Sequence, residues 1–451
     1  MSRNQDLLTG RIAPALLSFT MPFLLANLLQ TLYGTVDTLT VGNFGSTAGL
    51  SAVSTGSQVL GLVTFLAMGL SNGSTVLLGQ SIGARDDRRA ARVVGSTILC
   101  FAALSLALTG LMYLIYPTAL SALNVPPEAV EEAYRYCAIC SAGIPLIIGY
   151  NTVCALLRAT GDSKSPLLFV GVACVVNILG DLLLTGWLRM GAAGVAIATV
   201  TAQGVSFVFS LFFIMKRGMG FAFSRREIRL HGPTAGAIFR IGIPMGVQSI
   251  LINLSFMFIT AIINAMGLEA SAAMGIGDKI VGFAFLPQTA FSAALAVMVA
   301  QNIGARQEKR ALEAMKVCVA ICFGIELAFC AVCQLWPRLL PSLFTDDPVV
   351  LTLTGQYMRA YSLDAVLTGV TFCLSGFLNG CGKTTFNLVQ NLISTFLGRV
   401  PATWLLSRLP GVDLFILGLA APASTVMSVI MLGIYLAAGF WKKGLYANEA
   451  E

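Results

Sequence analysis

The apolar segments of this 451-residue sequence contain few residues that can exchange a proton or bind an ion. Between residues 12 and 84 the only aspartate, glutamate, lysine or arginine is Asp37. In a later segment Asn177 and Asp181 are four residues apart, which places both on one helix face, and Thr199 follows on the next segment. Their oxygens suit a hard cation, and two carboxylates in one apolar pocket cannot both stay ionised without compensation. These four residues therefore predict one site that takes up a proton or a hard cation.

The second half of the chain has a different set of ionisable residues in its apolar segments. Such groups are costly to bury in a membrane, so each is a functional candidate. Lys279, Asp364 and Arg399 are candidates for a substrate cleft: Lys279 either lines it or snorkels to the interface, and Arg399 either pairs with a carboxylate such as Asp364 or has a structural role. Asp278 and Lys279 are sequence neighbours that point apart, and Glu326 fits the edge of a water-filled space equally well.

Transmembrane helices are the elements that must hold these residues. Hydrophobic residues make up 56% of the chain and charged residues 11%, and its uncharged runs exceed the ~18 residues that indicate a membrane span. The alternating pattern of a transmembrane barrel is absent, so helices must satisfy the backbone. This composition excludes a water-soluble enzyme and a nucleic-acid binder, and no cofactor or resident metal is predicted.

Apolar runs separated by polar residues predict an all-α integral membrane protein with twelve transmembrane helices. We expect them near residues 13–42, 49–79, 91–117, 132–157, 165–188, 192–215, 235–266, 270–302, 312–337, 350–378, 385–408 and 413–440.

The eleven cysteines lie almost wholly within these apolar runs, where a small hydrophobic side chain packs well. Two Cys-x-x-Cys pairs occur, Cys137 with Cys140 and Cys330 with Cys333, but the chain has one histidine, His231. Their spacing is what chance produces on a cysteine-rich helix, so we predict packing rather than a metal or redox centre.

An internal repeat appears when the chain is shifted by about 221 residues: residues 80–92 then align with 301–313, and 157–165 with 378–386. Six helices in each half are an even number, so the repeats are parallel, and two six-helix lobes are expected to face a central cleft. Their predicted bounds are 1–215 and 235–440, with a cytoplasmic linker at 216–234 and a cytoplasmic tail at 441–451.

Orientation follows from the basic residues. With a cytoplasmic N-terminus, 21 of the 28 lysines and arginines fall inside and 5 outside, which satisfies the positive-inside rule. The net charge of +7 needs no nucleic-acid partner. We therefore predict a multi-pass protein of the bacterial inner membrane with both termini in the cytoplasm.

The internal repeat also tests whether the fold itself requires the four polar residues of the predicted ion site. Positions in the second half that match Asp37, Asn177, Asp181 and Thr199 are apolar, namely Ile259, Gly398, Ala402 and Ala420. Polar groups required by the fold would recur in both copies, whereas an ion site is needed once. The alternative, that helix-helix hydrogen bonds satisfy the two acids, stays open at this stage.

Pro22 precedes Asp37 on the first helix and falls one residue from register with Pro244 in the second half. A proline frees a backbone carbonyl and bends a helix. Pro22 is either a bend that responds to charge at Asp37 or one of two static kinks.

Residues 36–45, 79–92, 157–166 and 177–186 together resemble the multidrug and toxic compound extrusion (MATE) transporters, with a likeness to the MepA-like and DinF-like branch. The resemblance covers nearly the whole chain. It implies a secondary active antiporter that exports amphipathic, often cationic, organic compounds in exchange for H⁺ or Na⁺ by alternating access.

The family's functional residues match this sequence at individual positions. Its helix 1 aspartate falls on Asp37, its helix 5 asparagine and aspartate on Asn177 and Asp181, and its helix 6 threonine on Thr199 rather than Thr201. Another branch of the family has acids on helices 7 and 10. Here helix 7 has none and Asp364 does not match that motif, so a sodium site in the second half is not expected.

Two other functions stay open. A lipid-linked precursor flippase of the same superfamily would need a strongly basic cleft, whereas Lys279 and Arg399 are the only deep cations. A receptor or structural membrane protein would show no transport. The favoured partners are a small organic cation and membrane lipid, and the favoured oligomeric state is a monomer.

Overall fold

The computed structural model describes residues 6–123, 125–221 and 223–445, in which all the regular structure is helical. Twelve long helical segments follow one another. They are α1 (Ile12–Phe44), α2 (Thr47–Gly83), α3 (Asp87–Ala122), α4 (Pro127–Ala159), α5 (Lys164–Trp187), α6 (Gly191–Arg217), α7 (Gly232–Asn264), α8 (Leu268–Gly304), α9 (Glu308–Leu335), α10 (Pro348–Gly380), α11 (residues 384–406) and α12 (Leu414–Ala437).

The predicted all-α membrane fold is confirmed. Within the described residues, eleven of these segments are long and apolar enough to cross a membrane. The twelfth, α11, is helical throughout but includes a π-helical stretch, Ile393–Arg399, and several polar residues. Several helices extend beyond their predicted apolar runs because polar caps define their ends. Examples are Asp86, which accepts a hydrogen bond from the Arg89 amide at 2.9 Å, and Asp347, which caps α10.

The backbone repeats itself as the sequence does. Residues with positive φ occur in pairs 221 positions apart, at the end of the second, fourth and sixth helix of each half, and these pairs are Arg85 and Arg306, Gly161 and Gly382, and Gly218 and Gly439. A positive φ is unfavourable for arginine. The same unusual turn at both copies therefore marks a duplicated fold rather than a chance likeness.

The chain forms two compact units. One is built on Met21–Gly246, and the other contains Leu7–Thr20 and the chain from Val247 onward. The first helix of each half thus passes from one unit to the other, α1 beside Pro22 and α7 just after Pro244. These units differ from the predicted bounds 1–215 and 235–440 because the first helix of each half belongs partly to each unit.

The fourth helix of each half is the most buried. In α4 and in α10, 61% of the most apolar part is buried, against 28% in α3. By contrast α3 exposes Leu106 and Leu114, as a lipid-facing helix does. Glycine allows the tight packing, since a Cβ at Gly376 of α10 would lie 2.6 Å from the Ser292 carbonyl oxygen of α8.

Candidate functional site

Three helices of the first unit each contribute two polar side chains, four residues apart, to one cluster. The close approach of α5 and α6 depends on Gly180, where a Cβ would lie 2.9 Å from the Cβ of Ala198. The i, i+4 spacing places each pair on one face of its helix. The six residues are Tyr33 and Asp37 of α1, Asn177 and Asp181 of α5, and Thr199 and Gln203 of α6.

All four residues predicted for the ion-coupling site meet in this cluster. The Asn177 Nδ2 donates to Thr199 Oγ1 at 3.4 Å, and Thr199 Oγ1 donates to Asp37 Oδ2 at 3.3 Å. The Asp181 carboxyl faces the same Asp37 carboxyl, close enough for a hydrogen bond once one of the two is protonated. Thr201, the less natural match, is exposed on another face of α6.

The cluster has more hydrogen-bond acceptors than donors. Asp181 is 0% exposed, Asn177 1% and Asp37 9%. Across the described residues, no protein donor reaches Asp37 Oδ1, Asn177 Oδ1 or either carboxylate oxygen of Asp181. Unsatisfied buried acceptors are destabilising, and two uncompensated carboxylates more so. A proton or a cation would satisfy them, and the alternative in which helix-helix hydrogen bonds satisfy both acids does not describe Asp181.

Tyr33 and Gln203 were missed by the sequence reasoning. The Gln203 Nε2 donates to the Tyr33 hydroxyl at 3.2 Å, one helical turn from the Asp37 and Thr199 contact. The sequence contains a signal for both, because Tyr33 and Gln203 each lie four residues from a predicted site residue on the same helix. They extend the polar cluster along α1 and α6.

The segment that follows Asp181 is π-helical, from Leu182 to Trp187. Such turns frequently occur at functional sites. Within it Thr185 is fully buried and donates to the Gly191 carbonyl at 3.3 Å, which joins the end of α5 to the start of α6.

Glu132 of α4 holds together the ends of two other helices. Its carboxylate accepts hydrogen bonds from the Ser46 hydroxyl, before α2, at 3.1 Å and from the Ala192 amide, in the first turn of α6, at 3.2 Å. Anions are favourable at helix N-termini. Glu132 therefore positions α6, which carries Thr199.

The second unit holds a different group around Arg399. Its guanidinium lies 4.8 Å from the centre of the Phe256 ring and donates to the Tyr361 hydroxyl at 3.4 Å. Asp364 instead accepts from the Thr425 hydroxyl at 2.5 Å. Arg399 and Asp364 are close enough to interact electrostatically, as the predicted pairing requires, but the described structure shows no direct contact between them.

The remaining candidates differ in burial and in their neighbours. Lys279 is exposed on α8, whereas the adjacent Asp278 is half-buried and lies close enough to Arg399 to interact with it electrostatically. Glu326 is 1% exposed and lies beside Gln288, so it is not at a water-filled edge. Gly369 of α10 makes room for it, since a Cβ at this position would lie 3.0 Å from Glu326 Cγ.

Together these features define a multi-pass α-helical membrane protein with an acidic, acceptor-rich site in one half of a duplicated fold. The MatE family profile matches residues 22–183 and 244–405, one match for each half. The chain belongs to the MatE family, the multidrug and toxic compound extrusion transporters, as the sequence predicted.

Named relatives agree with this assignment. The chain is 29% identical over 97% of both chains to "Probable multidrug resistance protein YpnP" of Bacillus subtilis. It is 24% identical over 93% of both chains to a protein of Shewanella oneidensis named "FAD transporter". Among solved structures, a MOP superfamily transporter from Pyrococcus furiosus aligns with a TM-score of 0.91 at 22% identity, covering 98% of this chain and 99% of that one.

Proposed function

We propose that this protein is a secondary active antiporter that exports amphipathic, often cationic, organic compounds in exchange for inward-moving H⁺ or Na⁺. The observation that carries the proposal is the excess of buried acceptors around Asp37 and Asp181, which no donor among the described residues satisfies. A site that lacks only a proton or a cation is suited to taking one up and giving it back.

Ion uptake acts on these residues in a defined way. A proton shared between the Asp37 and Asp181 carboxyls removes one negative charge and supplies the missing donor. A sodium ion would take the same carboxylate oxygens together with those of Asn177 and Thr199. Either event changes how the end of α1 that carries Asp37 is held against α5 and α6, and this change favours one opening of the transporter.

The membrane potential is sufficient to drive this step. One elementary charge that moves down the potential gains about 2.3 kcal/mol per 100 mV, enough for more than a tenfold concentration ratio. Coupled ion uptake could therefore support export against a gradient.

The charge of the transported compound is proposed from the charged residues in the apolar segments. Acids outnumber deep cations in the chain's apolar segments, which favours a cationic compound. One relative is named a FAD transporter, and FAD is an anion. Arg399, partly exposed between Phe256 and Tyr361, is the group that would meet an anionic cargo, so the cargo test includes one of each charge.

We propose that the protein acts as a monomer in the bacterial inner membrane with both termini in the cytoplasm. The distribution of lysine and arginine supports this orientation. Basic residues are concentrated where α2 meets α3 and where α8 meets α9, on the same predicted side.

Purified protein in proteoliposomes tests the function. A pH gradient and then a sodium gradient are imposed while a fluorescent organic cation and, separately, FAD are followed. We expect one ion gradient to drive cation movement and Asp37→Asn to abolish the response while the protein stays folded. Asp346→Asn, at an exposed loop acid, is the matched control.

Three results would contradict the proposal. Gradient-driven transport at the wild-type rate in Asp37→Asn would remove Asp37 from the mechanism. Transport of neither compound under either gradient would favour a membrane protein without transport activity, and movement of FAD alone would overturn the cationic cargo.

A further inference from the structure

Three cysteine side chains meet in the interior of the second unit. Cys318 and Cys322 are one turn apart on α9, and Cys373 is on the neighbouring helix α10. Their sulfur atoms all lie within 4.8 Å of one another, and the Sγ atoms of Cys318 and Cys373 are 3.4 Å apart. Because two sulfurs come from one helical turn and the third from a packed partner, the backbone holds the triangle in place.

The surroundings of the three thiols are apolar. Cys318 and Cys373 are 0% exposed and Cys322 is 1% exposed, within a core that includes Phe291 and Phe377. Among the described residues, the only charged side chain found to act on the thiols is the carboxyl of Glu326, one turn along α9 from Cys322. With no lysine or arginine to offset negative charge, a ligand must leave the complex neutral to be stable here.

We propose that Cys318, Cys322 and Cys373 form a binding site for trivalent arsenic, taken up as neutral arsenous acid. Three arsenic–oxygen bonds break and three arsenic–sulfur bonds form. Each thiol proton leaves with a hydroxide as water, so three waters are released and nothing is oxidised or reduced. The product carries no net charge and has three thiolate ligands around one atom.

Other thiophilic ions fit the site less well. Soft metals such as Cu(I) and borderline ones such as Zn²⁺ also bind thiolates. With three thiolates, however, a divalent ion leaves one negative charge in the core and a monovalent ion leaves two. Glu326 would add to that charge rather than reduce it. A trivalent centre is therefore favoured, because three thiolates bound to it form a complex without net charge.

This site is independent of the proposed antiport, because it shares no residue with the Asp37 cluster and belongs to the other unit. It also differs from the two Cys-x-x-Cys pairs, of which neither contributes a sulfur. The three-cysteine site is not recognisable in the sequence, because Cys373 is more than fifty residues from Cys322.

Binding is measured on the reduced full-length protein in detergent with one equivalent of arsenite. Native mass spectrometry gives the stoichiometry, and X-ray absorption at the arsenic edge gives the ligand atoms. We expect one arsenic per chain with three sulfur neighbours. Cys330→Ala, at a buried cysteine elsewhere on α9, is the matched control and should retain this signature.

Cys373→Ala should lose the three-sulfur signature and weaken binding at least about tenfold, because one arm of the chelate is gone. Cys318→Ala provides a second variant, and both must elute as monodisperse protein with wild-type helicity. An unchanged three-sulfur signal in Cys373→Ala would overturn the assignment. So would no arsenic on the wild-type protein, or protection of the three thiols by Zn²⁺ or Cd²⁺ at lower concentration than by arsenite.

Discussion

The two halves of this transporter share a backbone but differ at the level of the fifth helix. In the first half α5 brings two polar side chains against Asp37, and the acidic cluster that results has unsatisfied acceptors. In the second half α11 places Arg399 against Phe256 and Tyr361, while Asp364 has a hydroxyl donor of its own. The duplicated scaffold is therefore the same in both halves, but one copy has an acidic cluster and the other has an arginine among aromatic rings and two carboxylates.

The outer ends of the two halves differ in the same way. In the first half Glu132 accepts hydrogen bonds at the start of α2 and of α6. The position 221 residues later is Leu353, which lines a cavity of about 360 Å³ together with Gly267 and Asp413. A carboxylate thus holds the first half together where the second half has open space.

The largest difference between the halves is expected when one acid is removed from each of them. We expect Asp181→Asn to abolish the response of transport to the coupling ion, because the amide can neither release a proton nor balance a cation. Asp364→Asn should remain responsive to the ion gradient, even if its transport rate for a given cargo falls. Gradient-driven and gradient-free fluxes in proteoliposomes measure both. Equal loss of coupling in the two variants would show that the halves are not functionally different.

A smaller effect is expected from Thr199→Val, which removes the hydroxyl that links Asn177 to Asp37. A hydrogen bond worth about 1 kcal/mol corresponds to roughly a fivefold change in ion affinity. The ion concentration that gives half-maximal transport measures it. Thr201→Val, two residues along α6 on an exposed face, is the matched control and should leave this concentration unchanged. Equal shifts in both variants would rule out a specific role of Thr199.

The smallest effect is expected from Glu132→Gln. The amide keeps an acceptor oxygen but loses the charge at two helix N-termini, which costs about 1 kcal/mol of stability. We expect the thermal unfolding midpoint to fall by about 2 °C. Glu131→Gln changes the adjacent exposed acid, which pairs with Arg135 on the surface and should have almost no effect. A larger drop in the Glu131 variant would contradict the positioning role of Glu132.

Most of the candidate site was predictable because its residues are rare. A single aspartate in the first two spans and an Asn-Asp pair at helical spacing stand out against apolar neighbours, and the repeat showed that the fold does not need them. Tyr33 and Gln203 were missed because tyrosine and glutamine are ordinary at helix surfaces. The sequence could not show that Asp364 takes its hydrogen bond from Thr425 rather than from Arg399, because spacing along the chain does not decide which side chains of different helices touch.

The amino-acid sequence alone determined the membrane class, the twelve helices, the duplication and the identity of the acids, since apolar run length and charge scarcity act locally along the chain. The tertiary structure decided what those residues touch. Helix packing through Gly180 brings α5 against α6, and α1 and α7 each belong partly to both units. Packing of α9 on α10 brings Cys373 to Cys318 and Cys322, from which it is distant in sequence. Such meetings depend on the distances between helices in space, and no local pattern in the chain records them.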